Sequence, residues 1–431
     1  MSASQSPISY PSSYYAASTN DHAERPQLQG VESADVCVIG AGFTGLSTAI
    51  HLLERGFSVI VLEAGRVGFG ASGRNGGQIV HSYSRDMDFI ERHYGKKTAT
   101  EMGKMAFEGG RIIRRLVSQY DIQCDLKDGG IFAACNSKQL KELEEKKALW
   151  EQHGHTQLDM LDAAQIQNHV GTDRYPGALL DHSGGHLHPL NLARGEALAV
   201  ESLGGRIFEQ SSVTDIQQGE PCTVKTAQGQ VSCRFVMVAG NAYLTGLLPE
   251  QEQKSMPCGT QVITTEPLSA ELQRQLLPTD HCVEDCNYLL DYYRLSGDGR
   301  LIYGGGVTYG AREPERVESL IRPKMLKTFP QLASVKIDYA WTGNFLLTLM
   351  RLPQFGRIGN NIYYAQGYSG HGVTSTHLAG ELIASAIQGQ AERFDVMASL
   401  PQYPFPGGRM LRIPYTAMGA FWYDLRDKLG V

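Results

Sequence analysis

The sequence predicts an α/β fold of two interleaved lobes, one built on a parallel sheet and the other on an antiparallel sheet. Residues 34–63 carry the periodicity of a buried strand, a glycine turn, an amphipathic helix and a second strand, which is the order of a parallel βαβ unit. Residues 258–341 indicate β-rich hairpins instead, with Asp298-Gly299 as the turn signal between two alternating strands. With 431 residues, 42% of them apolar, the chain is long enough to bury a large core.

The first βαβ unit carries the spacing G-x-G-x-x-G at the point where its helix must start. Gly40 permits the tight turn, Gly42 lets the backbone approach a pyrophosphate, and Gly45 lets the helix pack closely on the strand. The N–H groups that open the helix then face the phosphates. Glu63 ends the second strand, where its carboxylate can accept hydrogen bonds from both ribose hydroxyls. A lone glycine triplet would also fit an ordinary loop, but strand, helix, strand and acid in this order predict a Rossmann-type dinucleotide site.

Two further glycine-rich segments favour FAD over NAD as the dinucleotide. Residues 64–79 read AGRVGFGASGRNGGQI and have no apolar period, so they can bring many backbone amides against an extended ligand. A strand at 362–366 is followed by GYSGHG, which opens a second helix. The positive end of that helix suits the pyrimidine edge of a flavin, where negative charge accumulates on reduction.

Composition and charge exclude several classes of protein. The formal net charge is −6, and the lysines of residues 141–147 alternate with glutamates, so no nucleic-acid partner is expected. No run approaches 18 apolar residues and the N-terminus is polar, so neither a membrane span nor a secretory signal is predicted, and a cytoplasmic location is the default. The eight cysteines form no CxxC pair, which is typical of reduced packing residues.

Two local patterns leave a metal site as an alternative. Cys282 and Cys286 lie four residues apart and could pair or bind a metal, but no companion ligands stand nearby. Residues 181–189 read DHSGGHLHP, yet no helical frame brings the aspartate and the three histidines together. His188 precedes a proline that can start a helix, which gives this histidine a structural role instead. We therefore expect no metal.

The predicted elements divide the chain into alternating segments. Helices are predicted over residues 99–120, 137–153, 189–203 and 314–329, and a C-terminal helical stripe is carried by Phe421, Trp422, Leu425 and Leu429. The segments are an N-terminal extension at 1–30, a first part of the FAD-binding lobe at 31–95, a helical segment of the substrate lobe at 96–155, a second part of the FAD-binding lobe at 156–250, the substrate lobe at 251–345, and a third part of the FAD-binding lobe with the C-terminal helix at 346–431. The chain is thus expected to cross between the lobes several times.

Together these motifs resemble the superfamily of FAD-dependent amine and D-amino-acid oxidases, which includes sarcosine oxidase and glycine oxidase. The resemblance rests on the dinucleotide fingerprint, the loop SGRNGG at 72–77 and the turn SGHG at 369–372, and it covers nearly the whole chain. Within the superfamily, the stretches at 12–18, 68–86 and 351–358 are similar to gamma-glutamylputrescine oxidoreductases of bacterial polyamine catabolism. The resemblance implies a flavin enzyme that oxidises an amine.

The resemblance also implies how the chain holds FAD. The strand at Val213 would meet the adenine end through its backbone, and Ala239 and Gly240 would close beneath the cofactor. Sarcosine oxidases attach FAD through a cysteine in the segment that corresponds to residues 344–350, where this chain has none, so non-covalent FAD is expected. The full set of expected FAD contacts is Gly40, Gly42, Phe43, Thr44, Gly45, Glu63, Ala64, Ser72, Gly73, Arg74, Asn75, Gly76, Gly77, Gln78, Val213, Ala239, Gly240, Gly370, His371, Gly372, Val373 and Thr374.

Two departures from the amino-acid-oxidising relatives bear on the substrate. Sarcosine-oxidising relatives hold the substrate carboxylate with an arginine and a lysine, and the corresponding positions here are Gln78 and Thr374. Without these cations, an α-carboxylate beside the reacting carbon would be desolvated without a partner. The resemblance therefore implies oxidation of the terminal primary amine of a polyamine-derived substrate, with gamma-glutamylputrescine as the leading expectation. Arg294 or Arg351 is the candidate for binding the glutamyl tail.

The candidate catalytic residues are His371, Gln78, Tyr292 and Trp341. His371 follows the second glycine turn and is expected to contact the flavin edge or the amine, whereas the two aromatic residues are candidates to line the substrate pocket. The expected products are an aldehyde, ammonia and, with oxygen as the electron acceptor, hydrogen peroxide. An oxidase or dehydrogenase of secondary or D-amino acids stays open as an alternative. A flavin-containing interaction or RNA-modifying protein is the alternative from another class.

Overall fold

The computed structural model describes residues 8–244, 246–310, 313–408 and 411–418, and the C-terminal stripe predicted at 421–429 lies outside them. The strands in this part of the chain are β1 Gly30–Ile39, β2 Val59–Leu62, β3 Gln78–Ile79, β4 Lys127–Ala134, β5 Leu158–Asp162, β6 Gly177–His186, β7 Arg206–Phe208, β8 Val213–Gln217, β9 Cys222–Thr226, β10 Gly229–Val238, β11 Ser255–Thr265, β12 Cys282–Asp285, β13 Asp291–Leu295, β14 Leu301–Tyr309, β15 Ile337–Thr348, β16 Gln354–Ile358 and β17 Ile362–Gln366. The helices are α1 Tyr14–Ala17, α2 Phe43–Glu54, α3 Met87–Tyr94, α4 Lys96–Met105, α5 Glu108–Gln119, α6 Ser137–Gln152, α7 Ala163–Ile166, α8 Pro189–Ser202, α9 Pro249–Glu252, α10 Ala270–Leu276, α11 Val317–Thr328, α12 Gly372–Gln388 and α13 Glu392–Ala398.

The first sheet has the strand order β16-β17-β10-β1-β2-β7, and β9 and β8 continue from β10. The strands from β17 to β7 run parallel, whereas β16 is an antiparallel edge strand. Val36 and Val38 of β1 pack into the helical core on one face, and Cys37 and Ile39 pack into a second core on the other. A central parallel strand is apolar throughout because both of its faces are covered. The predicted α/β class is confirmed.

The helices α2 and α12 pack along each other over this sheet. Their close approach depends on Gly380, because a Cβ there would clash with Ser47 of α2. Helix α12 begins at Gly372, directly after the SGHG turn, so the second glycine-opened helix that the sequence predicts is present. Among the helices of the described residues, we find none with the length and hydrophobicity needed to cross a bilayer.

The second sheet has the strand order β15-β11-β14-β13-β12-β4-β6-β3, with β5 beside β6. Neighbouring strands are antiparallel except for β12 and β4, which run parallel. The hairpin of β13 and β14 turns at Asp298-Gly299 as predicted, with Leu295 opposite Leu301. Gly299 has a φ of +76°, a conformation that a side chain would strain.

Two sequence-based expectations differ from the structure. The single helix predicted over residues 99–120 is two helices, α4 and α5, because the carbonyl of Ala106 accepts the N–H of Ser82 instead of continuing the helix. Strands β5 and β6 lie in the segment 156–250 that was expected to belong to the FAD-binding lobe. In the structure β5 pairs with β6, and β6 pairs with β4 in the second sheet. The hydrogen-bond ladder to β4, which begins far earlier in the chain, decides their place.

Candidate active site

A cavity of about 590 Å³ lies between the two sheets. One wall comes from the carboxyl ends of β1 and β2 and from the turn that follows β17, and the opposite wall comes from β11 to β15 of the second sheet. The glycine-rich stretch from Phe69 to Gln78 runs between them. Ligands of α/β sheets bind outside the carboxyl ends of parallel strands, so this cavity is the candidate active site.

The first glycine turn is shaped by close backbone contacts. Gly40 has a φ of +105°, and a Cβ there would lie 2.9 Å from the carbonyl oxygen of Ala239. A Cβ on Gly45 would clash with the carbonyl of Gly40, so the third glycine brings helix α2 against the strand. The Ser72 hydroxyl accepts the N–H of Phe43 at 2.9 Å and so links the SGRNGG loop to the start of α2.

Glu63 closes the other side of this turn. Its two carboxylate oxygens accept the N–H groups of Ala41 and Gly65, each at 2.8 Å. Desolvation raises the pKa of Glu63, and the hydrogen bonds from these backbone N–H groups oppose that rise. Each carboxylate oxygen has a second lone pair, so Glu63 can still accept the hydroxyls of a ribose. The carboxylate therefore stands at the cavity wall where the sequence placed it.

The SGRNGG loop is held in its turned shape by its own Asn75 and by Arg294 of β13. The Asn75 amide donates to the carbonyls of Ala71 and Ser72, at 3.0 and 2.9 Å. Arg294 donates to the carbonyl of Gly76 at 2.7 Å and to the hydroxyl of Tyr15 at 3.1 Å. Arg294 is only 3% exposed and does not reach the cavity, so its expected role at the glutamyl tail is wrong, and it braces the loop instead.

The substrate-side wall carries polar groups from several elements. Gln78 donates to the carbonyl of Val283 at 3.1 Å, which ties the loop to β12. Glu284 follows on β12 and also lines the cavity, although no sequence motif predicted a site residue there. The signal that was available is the pair of acids, Glu284 and Asp285, at the end of the short strand β12. Tyr288 and Tyr292 line the same wall.

His371 lies immediately before helix α12 and lines the cavity. Burial, together with the charge of Lys146, lowers its pKa to about 4, so the imidazole is neutral near neutral pH. Its Nδ1 is buried and has no hydrogen-bond partner among the described residues. A neutral imidazole with an unpaired nitrogen, beside the positive end of a helix, suits contact with the polar edge of a flavin.

The cavity brings together most of the residues predicted for the site. Those that line it are Gly40, Gly42, Phe43, Thr44, Glu63, Ala64, Ser72, Asn75, Gly76, Gln78, Val213, Ala239, Gly240, Tyr292, Gly370, His371, Gly372 and Val373. Those that do not line it are Gly45, Gly73, Arg74, Gly77, Thr374 and Trp341. The three glycines in the second group have a structural role, because a Cβ on any of them would clash with a neighbouring carbonyl.

Two of the remaining residues are corrected by their contacts. Trp341 is buried with its ring 5.1 Å from that of Tyr15, and its indole N–H donates to the carbonyl of Arg74 at 3.0 Å. Packing against the N-terminal segment thus keeps Trp341 out of the cavity. Thr374 donates to the carbonyl of Val80 at 2.7 Å and does not line the cavity either. Of the two positions that lack a cation, only Gln78 therefore faces the cavity.

The residues present fit FAD. The glycine turn at the start of α2 leaves room for a pyrophosphate, Glu63 can hold the ribose, and the start of α12 with His371 would face the flavin. Val213, in the strand expected at the adenine end, also lines the cavity.

Three buried residues away from the cavity form a small polar cluster. His81, His155 and Asp181 place ligand-type atoms within 4.8 Å of one another. His155 is 3.0 Å from Asp181, and the Nε2 of His81 is 3.1 Å from the carbonyl of Ser183. His188, which the sequence grouped with Asp181, instead accepts the N–H of Asn191 and caps α8.

Comparisons with known proteins extend these observations. A family profile described as FAD dependent oxidoreductase matches residues 35–386. Gamma-glutamylputrescine oxidoreductase of Escherichia coli strain K12 is 64% identical over 421 residues, 97% of this chain and 99% of that protein. A probable oxidoreductase of Haemophilus influenzae is 42% identical over 96% of this chain and 97% of that protein. The solved structure of glycine oxidase from Geobacillus kaustophilus has a TM-score of 0.68 at 20% identity, with 83% of this chain and 95% of that chain covered, and it shares the fold.

The family profile covers most of the chain, including the starts of both glycine-opened helices and all the described cavity-lining residues except Ile8. The residues around that cavity fit the cofactor that the profile names. The chain is therefore an enzyme of the FAD-dependent oxidoreductase family, and FAD is its cofactor.

Proposed function

We propose that this enzyme oxidises the terminal primary amine of gamma-glutamylputrescine to the aldehyde. The relative from Escherichia coli that carries the name of this reaction is 64% identical over nearly the full length of both chains. Hydrolysis of the imine formed by oxidation releases ammonia, and oxygen as acceptor would give hydrogen peroxide. FAD, when bound, supplies the acceptor for the hydride equivalent that leaves the carbon next to nitrogen.

The charges around the cavity are the observation that carries this proposal. Arg351 is the one lysine or arginine among the described residues that line the cavity, while Glu284 provides a carboxylate on the substrate-side wall. Gln78 stands where relatives that oxidise sarcosine have a cation. This arrangement favours a substrate whose carboxylate is remote from its reacting amine, and gamma-glutamylputrescine has that form.

Arg351 is the proposed partner of the glutamyl carboxylate. Its guanidinium donates to the hydroxyl of Tyr288 at 2.5 Å and lies over the ring of that tyrosine, 5.2 Å from the ring centre. No carboxylate among the described residues forms an ion pair with Arg351, so its charge is available to an anion in the cavity. Arg294, the other candidate, is occupied in bracing the SGRNGG loop.

FAD is proposed to bind without a covalent link, because no cysteine is present among the described cavity-lining residues or in the segment 344–350. We also propose a cytoplasmic location, which the eight free thiols support. Nucleic acid has no part in the proposed function, in keeping with the net charge of −6.

Anaerobic flavin reduction by a panel of amines tests the proposal. Gamma-glutamylputrescine should reduce the bound flavin with a kcat/KM at least ~100-fold above that for sarcosine or a D-amino acid, equivalent to about 2.7 kcal/mol. Free putrescine should also be slower, because its second ammonium must be desolvated where a glutamyl amide is expected. Repeating the reaction with oxygen and measuring hydrogen peroxide identifies the acceptor. An equal or higher kcat/KM for sarcosine or a D-amino acid would refute the assignment.

A matched pair of arginine variants tests the proposed carboxylate site. Arg351→Gln should lower kcat/KM for gamma-glutamylputrescine by roughly 10- to 150-fold, mainly through KM, because a charge-assisted contact of about 1.5–3 kcal/mol is lost. Arg357→Gln is the control, since Arg357 pairs with Asp395 at the surface and does not line the cavity. Equal kinetics for the two variants would exclude Arg351 from substrate binding.

A further inference from the structure

Glu284 stands on the cavity side of β12. In the strand register Glu284 lies opposite Tyr292 of β13 and Phe132 of β4. The preceding residue, Val283, lies opposite Tyr293 and packs into the core of the second lobe. Alternation along the strand therefore directs Glu284 to the face that lines the cavity. The side-chain carboxylate of Glu284 makes no hydrogen bond or ion pair with any of the described residues, so it has no structural partner.

The strand β12, which carries Glu284, is hydrogen-bonded to the residue that follows the SGRNGG loop. Gln78 donates to the carbonyl of Val283, the residue immediately before Glu284, at 3.1 Å. The ring of Tyr292 lies against the same loop so closely that a Cβ on Gly76 would be 2.6 Å from it. Glu284 is thus held close to the SGRNGG loop, on the substrate-side wall of the cavity.

The cation whose charge acts on Glu284 is Lys146 of α6, and it is already paired. Its ammonium is 2.9 Å from Asp86 and lies over the rings of Phe132 and Trp150, at 5.4 and 5.0 Å. It therefore influences Glu284 through space without neutralising it. Burial raises the pKa of Glu284 to about 7, Lys146 opposes the rise, and Asp285 adds to it.

The other ionisable groups around Glu284 do not compete with it near neutral pH. Burial raises the pKa of Tyr292, which faces Glu284 from β13, and of Cys282 and Cys286, which lie on either side of it in the chain. Burial and Lys146 lower the pKa of His371 and hold it neutral. Among the described residues of this wall that line the cavity, Glu284 is the one carboxylate.

We propose that Glu284 binds the reacting ammonium group of the substrate and accepts its proton, an inference that rests on the proposed function. The step is balanced as R–CH2–NH3⁺ plus the Glu284 carboxylate giving R–CH2–NH2 plus the Glu284 carboxylic acid. The N–H bond of the ammonium breaks and an O–H bond forms on Glu284. The neutral amine then has the lone pair that oxidation of the adjacent carbon requires, and the proton returns to water when the product leaves.

Two probes that cannot be oxidised test the binding half of the inference. The first is a gamma-glutamyl diamine with two methyl groups in place of the hydrogens on its amine-bearing carbon. The second is the same molecule with a third methyl group in place of the amine. Glu284→Gln in the FAD-loaded enzyme should weaken binding of the amine probe by roughly 10- to 150-fold, as expected for loss of a charge-assisted contact. Calorimetry should show binding of the methyl probe within about twofold of wild type, and FAD content should be unchanged.

The pH dependence of kcat/KM tests proton transfer. For the wild-type enzyme it should rise through a pKa of about 7 as Glu284 ionises, and fall above about pH 10 as the free substrate loses its ammonium proton. Glu284→Gln should lose the rising limb, and Glu284→Asp should retain it at a lower rate. Glu142→Gln, on the exposed face of α6, is the control that should keep the whole profile.

The outcomes separate the two claims. If the wild-type enzyme oxidises gamma-glutamylputrescine but Glu284→Gln keeps both the rising limb and the preference for the amine probe, the role of Glu284 is refuted and the proposed function stands. If the wild-type enzyme reduces its flavin with no gamma-glutamyl diamine, the proposed function is refuted. If Glu284→Gln folds poorly and loses FAD, Glu284→Asp takes its place in the test. A rate and an affinity for the amine probe that are both unchanged in Glu284→Asp would refute the role of Glu284.

Discussion

Replacing Glu63 with glutamine should weaken FAD binding, because its carboxylate is the expected ribose acceptor at the end of β2. In the structure its two oxygens accept the N–H groups of Ala41 and Gly65, both at 2.8 Å. Glutamine keeps one acceptor oxygen and turns an NH2 group toward one of these donors. The substitution thus removes the negative charge and leaves one backbone N–H without an acceptor.

The two losses affect different measurements. The unpaired N–H is present with and without cofactor, so it should lower the unfolding free energy of the apoprotein by about 1–3 kcal/mol. The ribose contact exists only in the complex, and a hydrogen bond to a charged acceptor contributes about 1.5–3 kcal/mol. The Kd for FAD should therefore rise by roughly 10- to 150-fold.

Titration of apoprotein with FAD, followed by flavin fluorescence, measures the Kd directly, and urea unfolding of the same apoprotein measures stability. Glu32→Gln is the matched control, since Glu32 lies on β1 and pairs with Arg206 at 2.8 Å, outside the cavity. A Kd for Glu63→Gln within about twofold of wild type would refute the ribose role, whatever happens to stability.

Flavin release, the contribution of Trp341 to stability and the titration of Asp86 can each be measured. Acid or heat denaturation should release FAD into the supernatant, and flavin that stays with the precipitated polypeptide would contradict non-covalent binding. Trp341→Phe should lower the unfolding free energy by about 1–3 kcal/mol, because the carbonyl of Arg74 loses its donor; a loss of kcat with unchanged stability would instead favour a catalytic role for Trp341. Burial opposes the charge of Asp86, but Lys146 and neighbouring hydrogen-bond donors hold the pKa of Asp86 below the ordinary value. The ionised carboxylate therefore stabilises the fold above about pH 4, and this stabilisation is lost as the pH falls further. Unfolding free energy measured from about pH 6 to 3 should decline more for wild type than for Asp86→Asn, and parallel curves would refute this.

The sequence predicts the backbone of the cofactor site well because its signals are local. Gly40 is required by its φ of +105° in the turn, Gly45 by the carbonyl of Gly40, and Glu63 follows directly from the end of β2. The continuous helix predicted across residues 99–120 is wrong for the opposite reason. The break depends on a hydrogen bond from Ser82, which is distant in the chain and leaves no periodic signal.

The amino-acid sequence by itself determined the α/β class, the two glycine-opened helices, the acid at the end of β2 and FAD as the cofactor. The tertiary structure decided which side chains share the cavity. Glu284 enters it because β12 pairs with β13 and β4, whereas Trp341 is withdrawn by its packing on Tyr15. Alternation along a strand separates two faces, but only pairing with distant segments decides which face meets the ligand.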